Sequence, residues 1–171
     1  MTKYDELRQK MENNRKQFDN YEEECRQFIA DFRSAIVDYI GCLDNRVQWK
    51  PFSPDEPEEK EKAKGVIEVT PDRRLALYAN AFYGFVFQIQ FFDPNIVIAG
   101  GNYLNLPMFV KKDGPKFTVK LGEVLKQVDH ADLISLINYL VSEIEEYLDT
   151  EFLNFLKGKE PPKIGFLTSK E

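Results

Sequence analysis

Apolar side chains recur in alternating steps of three and four residues through the first quarter of the chain. The positions are Tyr4, Leu7, Met11, Asn14, Phe18, Tyr21, Cys25, Phe28, Phe32, Ala35, Tyr39 and Cys42, and Asn14 is the polar exception. Such a heptad repeat places all of them on one side of a long α-helix. The pattern predicts a helix that begins at Thr2, a good N-cap, and ends near Gly41, which can adopt a left-handed C-cap.

The length of this helix predicts association with another polypeptide. A helix of about 40 residues is about 60 Å long, whereas a compact domain of this size is roughly 40 Å across. The N-terminal part should therefore extend past its own domain and need a second helix to cover its apolar side. We expect that helix to come from a second copy of the chain or from another helical protein. An asparagine within a heptad stripe, here Asn14, favours a parallel homodimer.

The predicted association surface consists of Tyr4, Leu7, Met11, Asn14, Phe18, Tyr21 and Cys25. Additional apolar residues, such as Ile29 and Ile36, widen the stripe only in the second half of the helix, and a broad stripe is typical of packing on a globular core. The polar middle, Glu12 to Lys16, leaves two alternatives open. The helix is either continuous, or it breaks near Asn13 and Asn14 so that it begins near Lys16 or folds back.

A charged link, residues 44–65, follows the helix. Residues 47–52 have the composition of a short edge strand, because Pro51 cannot donate a hydrogen bond to a central ladder. Residues 53–64 contain eight charged side chains and two prolines, with Ala63 as the one apolar residue. Such a segment buries too little surface to fold, so it should be a mobile loop.

From Gly65 onwards the hydrophobic period changes to two, which is typical of β-strands. Strands are predicted at residues 66–69, 75–80, 81–92, 96–99, 108–110 and 117–119. The strongest signal is residues 81–92, where aromatic residues alternate with small or polar ones, and the Asp113-Gly114 pair marks a hairpin. Because every connection is short, the sheet should be an antiparallel meander of about five or six strands. A helix beginning at Thr70 is the alternative to the second strand.

The last apolar stripe has the period of a helix: Leu133, Ile137, Leu140, Ile144, Tyr147, Leu148, Phe152 and Phe155. It predicts an amphipathic helix from Asp129 or His130 to Lys157, with Asp129 as the N-cap. The predicted fold class is therefore α+β. Residues 1–43 form a long coiled-coil-like helix for oligomerisation or docking, 44–65 the link, 66–158 an antiparallel sheet with a C-terminal helix, and 159–171 a tail.

Charge and hydropathy narrow the classes of partner. The chain has 29 acidic and 23 basic residues, and its net charge is −6. Phosphate backbones repel such a chain, so we expect no nucleic-acid partner. No apolar run reaches the roughly 20 residues that span a bilayer, and the N-terminus has no signal-peptide pattern. We therefore expect no membrane partner and a cytoplasmic location.

The two cysteines fit this location. Cys25 and Cys42 lie about 25 Å apart along a continuous helix, which is too far for a disulfide between them. Both have the positions of small buried hydrophobic residues, as expected in a reducing compartment.

Residues that carry chemistry are scarce in this sequence. The single histidine, His130, lies beside Asp129 and Asp132 at the predicted start of a helix, where capping or solvent exposure accounts for it. Motifs of nucleophilic, nucleotide-binding and redox sites are absent from the sequence. We therefore predict no catalytic residues, no metal ligands and no cofactor, and a protein that is not an enzyme.

These observations predict a non-catalytic protein–protein interaction module that associates through its N-terminal helix. Adaptors, secretion chaperones and inhibitor or immunity proteins belong to this class. The order of long helix, antiparallel strands and helix resembles coiled-coil proteins with a small α+β head, such as RWD-type heads. The alternative is a small-ligand-binding or enzymatic domain with a pocket between the sheet and the C-terminal helix. Its polar anchors would be Asn80, Gln88, Gln90 and Asn102.

Overall fold

Helix α1 runs without a break from Lys3 to Ile40 in the computed structural model of this protein. The structure describes residues 2–52, 64–70, 74–91 and 103–151, together with 62, 95, 157 and 167–168. The alternative of a break near Asn14 is wrong, because this residue lies inside continuous helix. Both predicted caps are confirmed: Thr2 is the N-cap, and Gly41 ends the helix with a φ of 67°.

The described strands form one antiparallel sheet. They are β1 (Val47–Lys50), β2 (Val66–Val69), β3 (Ala76–Tyr78), β4 (Tyr83–Gln90), β5 (Tyr103–Asp113), β6 (Lys116–Leu121), β7 (Val124–Val128) and β8 (Leu167–Thr168). Strands β2 to β7 are neighbours in chain order, which confirms the predicted meander and the α+β fold class. Strand β1 pairs with β4 on the same edge as β3, and β8 pairs with β5 at Leu104 and Asn105.

The centre of the sheet is the pairing of β4 with β5. Phe85 lies opposite Met108 and Phe87 opposite Leu106, and these four side chains are buried on the same face. The alternation of strand side chains therefore gives one apolar face that needs a cover. On the other face Gln88 donates a hydrogen bond of 2.9 Å to Asn105.

The observed strands and the predicted ones differ at several points. The second strand is confirmed as β3, and the alternative helix at Thr70 is wrong because the Thr70 amide donates to the Leu75 carbonyl across the turn. Strand β7 was not predicted, because four of its five residues are exposed or half-buried and lack an apolar alternation. It forms by pairing with β6. The predicted strand at 96–99 and most of the predicted mobile loop lie outside the described residues.

Helix α2, Leu133–Glu146, is shorter than the predicted C-terminal helix. A single wider turn, Tyr147–Glu151, continues it, and residues 152–156 lie outside the described part. The prediction of Asp129 as N-cap is wrong, since Asp132 accepts the capping hydrogen bond from the Ser135 amide at 3.4 Å. Asp129 instead accepts from the Ala131 amide in the turn before the helix.

The hydrophobic core lies between the two helices and one face of the sheet. The second half of α1 contributes Cys25, Phe28, Ile29, Phe32 and Ile36, and α2 contributes Leu136, Ile137, Leu140 and Ile144. Aromatic contacts connect α1 to the strands: the Phe28 ring stacks on Phe117 of β6 with centroids 4.2 Å apart. The Phe32 ring contacts Phe87 of β4 at 5.8 Å. The broad apolar stripe therefore packs on the globular core, as its width predicted.

Candidate functional site

The N-terminal half of α1, unlike its second half, does not pack on the hydrophobic core. Every residue from 3 to 20 is exposed except the half-buried Glu6, and we call this segment the exposed rod. Its apolar side chains have large exposed fractions: 72% for Tyr4, 57% for Leu7, 77% for Met11 and 39% for Phe18. At 1.5 Å per residue the rod is about 27 Å long. A continuous apolar stripe of this length on a protein surface is typical of an interaction site.

Local contacts keep the rod helical although it has no core. Thr2 and Asp5 form a capping box, in which the Thr2 hydroxyl accepts from the Asp5 amide and the Asp5 carboxylate accepts from the Thr2 amide at 2.8 Å. The Thr2 hydroxyl also donates to the Asp5 carboxylate at 2.7 Å. This bond and the one from the Thr2 amide lower the pKa of the Asp5 carboxyl. Because the rod continues a helix that is already anchored on the sheet, it needs no nucleation step of its own. The stripe is therefore helical in the single chain, without a second helix beside it.

Tyr21 marks the point where α1 meets the body. Its hydroxyl donates a hydrogen bond of 2.6 Å to the Ala81 carbonyl, and its ring lies 5.9 Å from that of Tyr83. One turn later, Glu24 forms an ion pair with Lys112 of β5. The heptad stripe thus divides at Tyr21 into an exposed part and a part that is covered by the chain's own sheet.

The division at Tyr21 makes the candidate association surface smaller than the one that the sequence predicts. Tyr4, Leu7, Met11, Asn14 and Phe18 lie together on the exposed rod. Tyr21 is half-buried against the core, and Cys25 is fully buried in it. The sequence repeat alone includes both residues, because it has the same period in both halves of the helix. The candidate site is therefore reduced to the five residues of the rod.

Cys25 should be nearly inert toward thiol reagents in the folded protein, whereas the half-buried Cys42 should react. Burial is the main cause that raises the pKa of the Cys25 thiol from 9.0 to about 11, so at pH 8 only about one molecule in a thousand carries the reactive thiolate. We expect Cys25 to be labelled at least about 100-fold more slowly than Cys42 by a soluble aromatic disulfide. Absorbance of the released thiolate measures both rates.

Two variants assign these rates. Cys42→Ser should remove the fast phase, and Cys25→Ser should retain it. Fast labelling of Cys42→Ser would contradict the docking of the second half of α1. Since the folded pKa is the higher one, the buried thiol contributes stability below about pH 9, which is lost as the pH rises through about 11.

The single histidine has a structural role that the sequence did not predict. His130 Nε2 lies 2.8 Å from Asp31 Oδ2 of α1, and the imidazole meets the rings of Phe28 and Phe117 edge-on. The predicted capping role is wrong, because the imidazole pairs with Asp31 of α1, which is 99 residues away in the sequence. The side chain still keeps 38% exposure to solvent. The pair connects α1 to the turn before α2. Among the described residues, no group of three or more histidine, cysteine or acidic side chains is placed to hold a metal ion.

Two clefts bear on the alternative of a small-ligand site. One, of about 270 Å³, lies on the sheet face away from the helices and is lined by Tyr78, Asn80, Phe82, Phe109, Lys120 and Leu125. Among its described lining residues, Asn80 is the one predicted polar anchor, and Asn102 lies outside the described residues. The other, of about 300 Å³, lies between β7 and the start of α2, as that alternative predicted, and none of the four anchors is among its described lining residues. Gln88 is instead bonded to Asn105.

Comparison with known proteins adds no relative. No protein-family model matches the sequence, and no curated protein and no solved structure matches this chain. The resemblance to RWD-type heads therefore rests on the order of elements alone, which assigns no function. In the described part of the chain, no helix has both the length and the apolar character to cross a membrane.

Proposed function

We propose that this protein is a non-catalytic protein–protein interaction module that binds another helix through its exposed rod. The single observation that carries the proposal is the exposure of Tyr4, Leu7, Met11 and Phe18 on a continuous, capped helix. The sheet and α2 have a different role: they bury the second half of α1 and so hold the rod in one direction. A rigid rod loses little conformational entropy on binding, which favours affinity.

The geometry favours a helix as the partner. The stripe has the heptad period of a coiled coil, with one side-chain position about every 3.5 residues. Tyr4 and Phe18 supply aromatic surface near the two ends, and Leu7 and Met11 supply aliphatic surface between them. Side chains with this spacing fit the holes between four residues of a facing helix. The predictions that the protein has no cofactor, is not an enzyme and is cytoplasmic belong to this proposal.

The test measures binding of the full chain to a designed helical peptide. The peptide has three heptads, leucine along its stripe, one asparagine to face Asn14, and neutral glutamine beside the stripe. We expect a 1:1 complex by fluorescence anisotropy. Leu7→Glu should weaken it at least about 100-fold, because a charge would be buried in the contact. Light scattering at several concentrations measures self-association of the same chain in parallel.

Two controls define the outcome. Leu43→Glu makes the same change at a side chain that is 67% exposed and lies just past the end of α1, and it should leave binding unchanged. A shortened chain that begins at Lys16 should neither bind nor self-associate. The proposal fails if the full chain shows no association in either assay, or if the Leu43→Glu variant loses binding as completely as Leu7→Glu does.

A further inference from the structure

The charged residues next to the apolar stripe of the exposed rod have one sign. In a coiled coil, the positions just before and just after the two apolar positions of each heptad flank the contact. On the rod these flanking positions are Lys3, Arg8, Lys10, Arg15 and Gln17. Four are basic and none is acidic, although the chain as a whole carries a net charge of −6.

The acidic residues of the rod lie on its other side. Asp5, Glu6, Glu12 and Asp19 are at least about 100° from the centre of the stripe at 3.6 residues per turn, and the four basic flanks are within about 80°. Two ion pairs connect the groups, Lys3 to Glu6 at 2.9 Å and Arg8 to Glu12 at 3.0 Å, and at least 41% of each of these side chains is exposed. Pairs of this kind exchange readily with other partners.

Lys10 and Arg15 take part in none of the ion pairs that the described residues form. They lie on opposite sides of the stripe, one on each flank of its middle. A partner helix with acidic residues at its own flanking positions could therefore form ion pairs with Lys10 and Arg15. These new ion pairs would break none of the ion pairs that the described residues form.

A second copy of this chain does not fit these flanks. In a parallel pair in register, Lys3 would face Arg8 and Lys10 would face Arg15 of the other copy, in both directions. In an antiparallel pair the flanks face flanks of the same kind, and these are again basic. Like charges at such positions oppose pairing and specify a different partner.

Resting on the proposed function, we infer that the rod binds a helix of a different protein, one whose apolar heptad stripe is flanked by glutamate or aspartate. The apolar stripes supply the contact area, and the opposite charges select the partner and its register. The asparagine in the middle, Asn14, pairs with a polar residue of that helix and fixes the alignment. The predicted homodimer is replaced by a heterotypic complex.

The experiment uses a charge-reversed form of the same chain as the acidic partner. The variant Lys3→Glu/Arg8→Glu/Lys10→Glu/Arg15→Glu keeps the stripe and the body, and it changes only the flanks. We expect each protein alone to remain monomeric at micromolar concentration. A mixture of the two should form a 1:1 dimer at least about tenfold more tightly than either forms with itself. Sedimentation velocity with one labelled component measures this.

Three further measurements make the result specific. Raising the salt from 50 to 500 mM should reduce the preference for the mixed dimer, because salt screens exposed charges. Leu7→Glu in either component should abolish the mixed dimer. The designed peptide described above, with glutamate in place of its neutral flanks, should bind the full chain at least about tenfold more tightly than its lysine-flanked counterpart.

The remaining outcomes overturn either this inference alone or both proposals. Wild-type protein that self-associates as tightly as the mixture overturns this inference but supports the proposed function, with a second copy as the partner. Equal binding of the acidic, neutral and basic peptides likewise overturns the inference alone. Binding to anionic phosphatidylserine vesicles with no binding to any peptide overturns both, because the rod would then be a membrane-surface helix.

Discussion

Replacing Phe28 by alanine should lower the free energy of unfolding by about 3–5 kcal/mol, the largest effect expected for a single substitution in this protein. The side chain is completely buried. Its ring stacks on Phe117 at 4.2 Å and 17° and contacts the edge of His130 at 5.5 Å. Removing it leaves a cavity where α1, β6 and the turn before α2 meet. Urea unfolding followed by circular dichroism measures the loss.

The matched control makes the same change on the exposed rod. Phe18→Ala alters the same stripe of the same helix ten residues earlier, in the exposed rod, which has no core around it. It should change the free energy of unfolding by no more than about 0.5 kcal/mol, because exposed substitutions rarely do more and alanine favours helix. If Phe28→Ala does not fold, Phe28→Leu should fold with a smaller loss. Equal losses for Phe18→Ala and Phe28→Ala would contradict the division of α1.

Replacing Gly84 by alanine should destabilise the protein by about 1–3 kcal/mol through overpacking. Gly84 lies in β4 beneath three aromatic rings on the sheet face away from the helices. A Cβ atom there would lie 2.6 Å from Tyr78 Cε2 and 2.9 Å from ring carbons of Phe52 and Phe109. These rings also pack on one another, since the centroids of Tyr78 and Phe109 are 5.3 Å apart. They cannot all move aside.

A loss of stability in Gly84→Ala would have the opposite sign to the usual effect of this substitution in a strand. Alanine in the middle of a strand is normally more stable than glycine by about 0.5–1 kcal/mol, since it restricts the unfolded chain. A destabilised Gly84→Ala variant would therefore report the ring contacts directly. Combining Gly84→Ala with Phe52→Ala should cost less stability than the sum of the two single losses. The Phe52 ring, one of the three that the new Cβ atom would meet, is then absent. Chemical unfolding of the four proteins gives this cycle, and strict additivity would argue against the clash.

The burial of Tyr78 agrees with a closely packed ring cluster. Burial raises the pKa of its hydroxyl to about 12, and the hydroxyl donates to the carbonyl of Lys62. The cluster formed by Phe52, Tyr78 and Phe109 was not predicted. Its rings come from three separate segments of the sequence, and no local period connects them. Gly84 gave a weak signal, as the small residue within the most aromatic strand.

Periodicity predicted most of the elements. The heptad stripe predicted α1 with both of its ends, and the period of two predicted the meander. These predictions succeed because the repeat of a helix or a strand is a local property, which neighbouring residues in the sequence determine. Chain length and helix rise alone also show that α1 is longer than a compact domain is wide. This difference in length is the basis for predicting an association surface on α1.

Tertiary structure decided which residues of one uniform stripe are covered. The repeat is the same on both sides of Tyr21, yet Cys25 is buried and Phe18 is exposed, because the sheet ends near Ala81 and Lys112. The same holds for His130 and Asp31, which are 99 residues apart, and for β7, which forms by pairing with β6. By itself the sequence determined the helix, the stripe and its charged flanks. Only the packing of distant segments decided where the helix leaves the body, since burial depends on contacts that no local pattern encodes.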